Sequence, residues 1–290
     1  FSLTPDPGFF YRYDGHQQAL NVLLLALKDG EGFIQVTGEV GTGKTLLCRR
    51  LLQLLEDSCA TAYLPNPLLS PVELYRAIAE DLRLEVADNA TLQQLSRLIA
   101  RELVRLKSAN RPMVILIDEA QAMEHRSLEA LRLLSNLETE KEKLLHIVFF
   151  AQPEFKQRLT APDLRQLRQR ISFSCDIAPL ATHEVGSYLH HRLHVAGHGG
   201  GRVFSAAAIR RLAAASGGVP RILNQLAHKA LLVAYGKGSR QITGRMAAAA
   251  VRDFSGTTEI KTAAPAGLML RFGGLLAIVI ALIATWSVLR

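Results

Sequence analysis

The feature that most constrains this chain is the eight-residue run GEVGTGKT at residues 38–45. It fits the pattern G-x-x-x-x-G-K-[ST], in which glycines let the backbone bend until successive N–H groups point at phosphate oxygens. A strand-like segment, FIQVT, precedes the run, and a helix-like segment, LLCRRLLQLL, follows it. An ordinary glycine turn is the alternative, but the order of strand, loop and helix favours a phosphate-binding loop.

Each position of this loop has an expected role. Lys44 is expected to reach the β- and γ-phosphates of a nucleotide, and the hydroxyl of Thr45 is expected to bind Mg²⁺. The predicted nucleotide-binding residues are the whole loop and the residue after it: Gly38, Glu39, Val40, Gly41, Thr42, Gly43, Lys44, Thr45 and Leu46.

A second motif, VILIDEAQ at 114–121, ends in two adjacent carboxylates. Four apolar residues place Asp118 at the carboxyl end of a buried strand, where open α/β sheets bind ligands. Asp118 is predicted to hold the metal through water, and Glu119 to polarise an attacking water. Two such carboxylates could instead only cap a helix, but the phosphate loop upstream favours the catalytic interpretation.

Short apolar runs alternate with helical patterns through the first two thirds of the chain. The strand-like runs are rich in β-branched or aromatic residues and cover 32–37, 61–65, 112–117, 146–150 and 171–177. Most lack polar alternation, as in strands buried on both faces. Beyond about residue 180 the runs stop, and helices are predicted over 182–196, 205–215, 220–235 and 243–254. We therefore predict an α/β domain over 1–180, with a five-stranded, mainly parallel sheet between two layers of helices, and a small all-helical lid domain over 181–254.

The end of the chain has a different character. Residues 272–289 contain no charge and lie between Arg271 and Arg290. A helix of this length is about 27 Å long, close to the hydrocarbon thickness of a bilayer. A buried core helix is the alternative, but the loose stretch before it favours a linker over 255–271 and a transmembrane helix over 272–289. Since positive charge tends to stay inside the cell, the domains before the span are expected in the cytoplasm.

Two later polar residues are candidates for the same site. Gln152 ends the fourth strand, so its amide is expected beside the γ-phosphate, although it could be only a turn residue before Pro153. Arg221, in the run GGVPR, lies at the first turn of a predicted lid helix. A guanidinium there could sense the γ-phosphate, and a surface arginine is the alternative.

Together these motifs resemble those of an AAA+ P-loop ATPase, with Walker A, a DE-type Walker B and a lid carrying GxPR. More narrowly, TGEVGTGKTLLCRRLL, LRLLSNLETE, AQPEF and LRQLRQRISFS resemble the ExeA/GspA family of secretion ATPases. Within that family, AYLPNPLLSP, LETEKEKLL and RQRISFS look closest to the MshM branch, which serves biogenesis of the mannose-sensitive haemagglutinin (MSHA, type IV) pilus. The resemblance covers about residues 1–255.

The resemblance implies ATP and Mg²⁺ as ligands, a sensor-1 role for Gln152 and a sensor-2 role for Arg221. It also implies self-association into a ring or smaller oligomer, in which an arginine of one subunit completes the neighbour's catalytic site. In the run DLRQLRQRI the candidates are Arg165, Arg168 and Arg170, with Arg170 preferred and Arg168 second, and a solvated basic face is the alternative. An early segment over 4–16 is expected to lie against the adenine.

The function that follows is ATP hydrolysis in support of assembly of a pilus or secretion complex at the bacterial inner membrane. The alternatives are secretin assembly in general secretion, a transposition-type ATPase on DNA, and a nucleotide-dependent scaffold with little hydrolysis. The net charge of +8 permits contact with nucleic acid without demanding it. Because the predicted span does not suit a DNA regulator, nucleic acid is not expected as a partner. Three widely spaced cysteines exclude a disulfide scaffold.

Overall fold

Five strands form one parallel sheet, and each lies within one residue of the run that predicts it. The structure, a computed structural model, describes residues 7–137 and 143–257 of the chain. The strands are β1 (Phe33–Thr37), β2 (Ala60–Leu64), β3 (Met113–Ile117), β4 (Leu145–Ala151) and β5 (Ile171–Asp176). Their order across the sheet is β2-β3-β4-β1-β5, and every pair is parallel. The three central strands are buried at every residue, as expected when helices cover both faces.

Helices alternate with these strands. They are α1 (Asp14–Lys28), α2 (Lys44–Leu55), α3 (Pro71–Asp81), α4 (Leu92–Ser108), α5 (His125–Leu134), α6 (Glu154–Arg158) and α7 (Arg165–Arg170). Two of them begin at capping boxes, in which Ser70 pairs with Glu73 and Thr91 pairs with Gln94. Each box satisfies two backbone N–H groups that a helix start otherwise leaves without partners.

The apolar stripe of α4 shows how a helix is held on the sheet. Leu95, Ile99, Leu103 and Leu106 are buried in the same core as the residues of β3 and β4. Burial of each such side chain contributes about 1.5–3 kcal/mol, so this face holds α4 on the sheet.

Four helices follow the sheet, as the sequence predicts: α8 (Val185–Val195), α9 (Ala206–Ser216), α10 (Pro220–Gly236) and α11 (Gly244–Thr257). Residues up to Val251 lie in one compact unit. Within that unit, the loop after β5 meets the loop before α10, because the N–H of Leu180 donates to the carbonyl of Gly218 at 3.0 Å. The domain boundaries over 1–180 and 181–254 stay a prediction.

The predicted localisation, a single-pass protein of the inner membrane, is wrong. No helix within 7–137 and 143–257 is long and apolar enough to cross a bilayer. In that part of the chain α4 and α10 are the longest helices, with 17 residues each, whereas a span needs about 20 mainly apolar residues. Moreover, α4 carries exposed arginines along the face away from the core. The predicted transmembrane segment over 272–289, and all but the first three residues of the predicted linker over 255–271, lie outside the described residues.

Candidate nucleotide site

The phosphate loop lies at the carboxyl edge of the sheet, between β1 and α2. Gly41 and Gly43 have φ angles of +85° and +93°, in the left-handed region that glycine adopts freely. Space is restricted as well, because a Cβ on Gly43 would lie 2.8 Å from Cε1 of His16. Both the backbone conformation and the packing therefore require glycine in this loop.

Lys44 begins α2 and points back into the curve of the loop. Its ammonium donates to the carbonyl oxygens of Gly38 and Glu39, at 2.8 and 3.1 Å. The side chain is buried, and burial lowers the pKa of Lys44, while the neighbouring carboxylates, Glu119 and Asp118 foremost, act in the opposite direction. A buried cation ringed by loop oxygens and carboxylates is an arrangement that suits a polyanionic ligand.

Asp118 joins the second motif to the first. It follows β3 and is buried, and its carboxylate forms hydrogen bonds with the hydroxyl of Thr45 and with the N–H of Glu119. Burial raises the pKa of Asp118, and these two hydrogen bonds counteract the effect. The two side chains predicted to hold the metal are therefore direct neighbours.

The oxygen atoms of Thr45 and Asp118 fit Mg²⁺, which binds through one or two protein oxygens together with substrate phosphates and water. Within residues 7–137 and 143–257, no group of three or more histidine, cysteine, aspartate or glutamate side chains could hold a metal. The two oxygen donors of Thr45 and Asp118 fit a magnesium ion that shares its other positions with nucleotide phosphates and water.

The backbone of Glu119 is left-handed, with φ 52° and ψ 37°. This conformation is uncommon for a residue other than glycine. The carboxylate accepts hydrogen bonds from the side-chain amides of Gln152, at 3.1 Å, and of Gln121. The two predicted residues thus touch each other, and the sensor role of Gln152 stays a prediction. Gln121 was not predicted as a site residue, although the motif VILIDEAQ contains it.

Arg221 brings the start of α10 to the phosphate loop. Its backbone N–H donates to the carbonyl of Gly41 at 3.2 Å. A Cβ on Gly41 would come within 2.4 Å of the Cβ of Arg221, so the start of α10 packs directly on the loop. The side chain of Arg221 is exposed.

Two aromatic residues before β1 hold the loop from the other side. The hydroxyl of Tyr13 donates to the carbonyl of Thr42 at 3.2 Å, and Nε2 of His16 donates to the same oxygen at 2.9 Å. Burial lowers the pKa of His16 to about 4 and raises that of Tyr13, so both side chains are neutral at pH 7. The sequence predicts only that the segment over 4–16 lies near the nucleotide, since no local pattern marks either residue as a partner of Thr42.

A cavity of about 230 Å³ lies next to the loop, and it is lined by Phe10, Arg12, Leu46, Arg50 and Gln53. Leu46 is one of the predicted nucleotide-binding residues. Phe10 and Arg12 belong to the segment over 4–16, which is predicted to lie near the adenine. A larger cavity, of about 350 Å³, lies between α4 and the loop that precedes it, and it contains none of the predicted site residues.

The candidate arginines lie at the opposite edge of the sheet. Arg170 directly precedes β5, whereas the phosphate loop follows the parallel strand β1, and these strands are about 17 Å long. The guanidinium of Arg170 donates to the hydroxyl of Ser135 at 2.8 Å, and Arg168 is exposed. Neither residue lies near the loop of its own chain, and a role in a neighbour's site stays a prediction.

Comparison with known proteins finds similarity to an AAA domain and to a protein of the general secretion pathway. Residues 27–159 match a family described as AAA domain. The chain is 40% identical over 276 residues to general secretion pathway protein A of Aeromonas hydrophila. The match covers 95% of this chain and 50% of that protein, so the chain spans half the length of this curated relative.

Solved structures share the fold at low sequence identity. Cdc6p of Pyrobaculum aerophilum matches with a TM-score of 0.62 and 17% identity, over 82% of this chain and 68% of that one. The ORC2 protein of Aeropyrum pernix matches with a TM-score of 0.60 and 15% identity, over 86% and 72%. RuvB of Thermotoga maritima, a Holliday junction branch migration motor, matches with a TM-score of 0.56 and 15% identity, over 83% and 69%. At this identity the likeness shows the fold alone.

The match of residues 27–159 to an AAA domain and the shared fold support an ATPase, and the chain is similar to general secretion pathway protein A over half of that protein. This outcome confirms the predicted enzyme class. These comparisons do not show the predicted assignment to the MshM branch, which stays a prediction.

Proposed function

We propose that the chain hydrolyses Mg²⁺–ATP to support assembly of a secretion complex or of a type IV pilus of the MSHA kind. The observation that carries the proposal is the contact between Thr45 and Asp118, which joins the phosphate loop to the acidic end of β3. Two motifs distant in sequence meet in the arrangement that a magnesium-bound triphosphate requires.

The residues divide the chemistry among them. The loop N–H groups and the ammonium of Lys44 bind the phosphates and neutralise charge that develops as the γ-phosphoryl group leaves. Thr45 and Asp118 hold Mg²⁺, which adds positive charge at the same phosphate oxygens. Glu119 orients the attacking water and accepts its proton, and Gln152, which already contacts Glu119 at 3.1 Å, binds the γ-phosphate.

The lid and a second subunit complete the proposed cycle. Since the start of α10 packs on Gly41, loss of the γ-phosphate at the loop can be transmitted to the lid through Arg221. An arginine at the start of β5 in one subunit, Arg170 or Arg168, enters the site of its neighbour. Hydrolysis would then change how subunits fit together, which is how an ATPase of this kind acts on an assembly.

The choice of assembly rests on sequence. Identity of 40% over 95% of the chain supports service in the general secretion pathway. The phrases AYLPNPLLSP, LETEKEKLL and RQRISFS favour the pilus branch of the same family. Both systems would use the same ATP chemistry, so the site does not distinguish them.

A gene replacement in the source organism tests the proposal. The chromosomal copy is replaced by wild type or by Glu119→Gln, and surface pili and exported proteins are scored separately. We expect the variant to lose one of the two while its protein level stays normal. Normal pili and normal export, from a variant that no longer hydrolyses ATP in vitro, would favour a nucleotide-dependent scaffold. Strong, salt-sensitive binding to duplex DNA would instead favour the transposition-type function.

A further inference from the structure

Gln121 joins the Walker B glutamate to the end of the neighbouring strand. It lies in a short 3-10 turn, Ala120–Ala122, directly after Glu119. Its side-chain nitrogen donates to Oε2 of Glu119, and its side-chain oxygen accepts from the backbone N–H of Gln152 at 3.0 Å. The turn itself is fixed from the other side, because Arg158 donates to the backbone carbonyl of Gln121 at 3.1 Å.

The carboxylate of Glu119 therefore receives two amide donors on one oxygen, from Gln121 and from the side chain of Gln152. Under the proposed function these donors have different tasks. The side-chain amide of Gln152 is needed at the γ-phosphate and must give up its bond to Glu119 when it turns there. The amide of Gln121 has no such second task, and it is held in place by the N–H of Gln152, which belongs to the strand end and does not turn with the side chain.

We propose that Gln121 is a positioning residue for hydrolysis: it keeps the Glu119 carboxylate in place when Gln152 engages the nucleotide. The inference rests on the proposed function. Its physical basis is preorganisation, because a group that activates water must stay within a fraction of an ångström of its productive position, and a shift of about 1 Å can cost about 100-fold in rate. The left-handed backbone of Glu119 adds to this need, since a residue other than glycine keeps that conformation only where its surroundings enforce it.

A purely structural role is the competing explanation, in which Gln121 only ties its turn to β4. The two roles use different atoms of the side chain. The structural tie uses the side-chain oxygen, which accepts from Gln152, whereas positioning uses the nitrogen, which donates to Glu119. Gln121→Glu separates them, because it keeps an acceptor for the N–H of Gln152 and replaces the donor by a second carboxylate.

The experiment compares wild type with Gln121→Glu, Gln121→Ala and the matched control Gln93→Ala, whose side chain is exposed on α4. For each protein, kcat and KM for ATP, ATP affinity and the thermal unfolding midpoint are measured. We expect both Gln121 variants to lose about 10- to 100-fold in kcat, with KM and ATP affinity within about twofold of wild type. The loss in Gln121→Glu should equal or exceed that in Gln121→Ala, because the new carboxylate repels Glu119.

Two results would overturn the inference. The first is an unchanged kcat in Gln121→Glu. The second is a fall in kcat that occurs only together with a fall in the unfolding midpoint of the same variant. Failure of the proposed function has a different signature, since wild type itself would then show no Mg²⁺-dependent hydrolysis that Glu119→Gln abolishes. That result would remove the inference as well, whereas normal wild-type hydrolysis with an unaffected Gln121→Glu would remove the inference alone.

Discussion

The hydroxyl of Thr45 forms a hydrogen bond with the carboxylate of Asp118. Thr45 lies in the first turn of α2, and Asp118 follows β3, which is separated from β1 in the sheet by β4. A parallel sheet brings the carboxyl ends of its strands to one edge, and the side chains of the two motifs then meet across the end of β4. This contact gives a nucleotide and its metal a shared site, and the predictions below test its parts one by one.

Lys44→Ala should abolish nucleotide binding. The ammonium is the buried cation inside the loop, and its removal leaves the phosphates with only loop N–H groups. Isothermal titration calorimetry with ATP in the presence of Mg²⁺ measures the affinity. The affinity of Lys44→Ala should be lower than that of wild type by at least about 100-fold, the equivalent of about 2.7 kcal/mol. Lys28→Ala, at the exposed end of α1, is the matched control. Unchanged ATP affinity in Lys44→Ala would contradict the assignment of the loop.

Glu119→Gln should keep ATP bound and slow its hydrolysis by about 100- to 10,000-fold, the range expected for a lost general base. The amide has nearly the same shape as the carboxylate, so binding is retained while activation of water is lost. Single-turnover hydrolysis measures the rate, and gel filtration with labelled ATP measures what stays bound. Rapid turnover by this variant would show that another group positions the water.

Hydrolysis per subunit should rise with protein concentration if an arginine acts in trans. A mixing experiment tests which one, since Lys44→Ala lacks a working loop but retains its arginines, whereas Arg170→Ala retains its loop. Each variant alone should be inactive, and in Arg170→Ala the hydrolysis rate should fall by about 1,000-fold or more. The mixture of the two variants should regain hydrolysis.

The same test is applied to Arg168→Ala, and Arg97→Ala, exposed on α4, serves as the control. Hydrolysis that is independent of concentration, with Arg168 and Arg170 both dispensable, would show that each subunit hydrolyses ATP alone.

The free energy of unfolding should fall between pH 6.5 and pH 4 because of His16. Burial lowers its pKa from 6.5 to about 4 in the folded chain, so in this window the unfolded chain binds a proton that the folded chain does not. The contribution is fully present above pH 6.5 and is lost as pH falls, by about 3 kcal/mol over the window.

Urea unfolding at pH 7 and pH 4.5 measures this effect. His16→Gln, which keeps an N–H donor for Thr42, should show a smaller loss than wild type, while His183→Gln, exposed before α8, should lose as much as wild type. Equal pH dependence in His16→Gln and wild type would place the titration elsewhere.

Gly218→Ala should destabilise the chain more than Gly217→Ala. Both glycines are left-handed, with φ of +76° and +56°, so each substitution costs about 1–2 kcal/mol for the backbone. Only at Gly218 does the new methyl group also meet an obstacle, because it would lie 2.1 Å from the carbonyl oxygen of Leu180. We expect a further loss of about 1–3 kcal/mol there, measured as the difference in the free energy of unfolding. Equal losses in the free energy of unfolding would show that the loop after β5 and the loop before α10 can move apart without cost.

Most of the fold could be predicted because its signals are local. The five apolar runs and the four helices after the sheet each depend on neighbours a few residues away, and all lie within about three residues of their predicted bounds. The predicted localisation was wrong, because no helix among the described residues is long and apolar enough to cross a bilayer. The apolar run on which that prediction rested lies outside those residues.

The sequence by itself determined which residues could bind a triphosphate, since the glycine pattern and the acidic strand end specify local geometry and charge. Only the tertiary structure decided how those residues pair: Asp118 with Thr45, Glu119 with Gln121 and Gln152. The reason is that Asp118 and Thr45, like Glu119 and Gln152, lie on elements far apart in the sequence, which the strand order brings together. The direction of a side chain at a strand end therefore depends on strand order and packing, which no short stretch of sequence encodes.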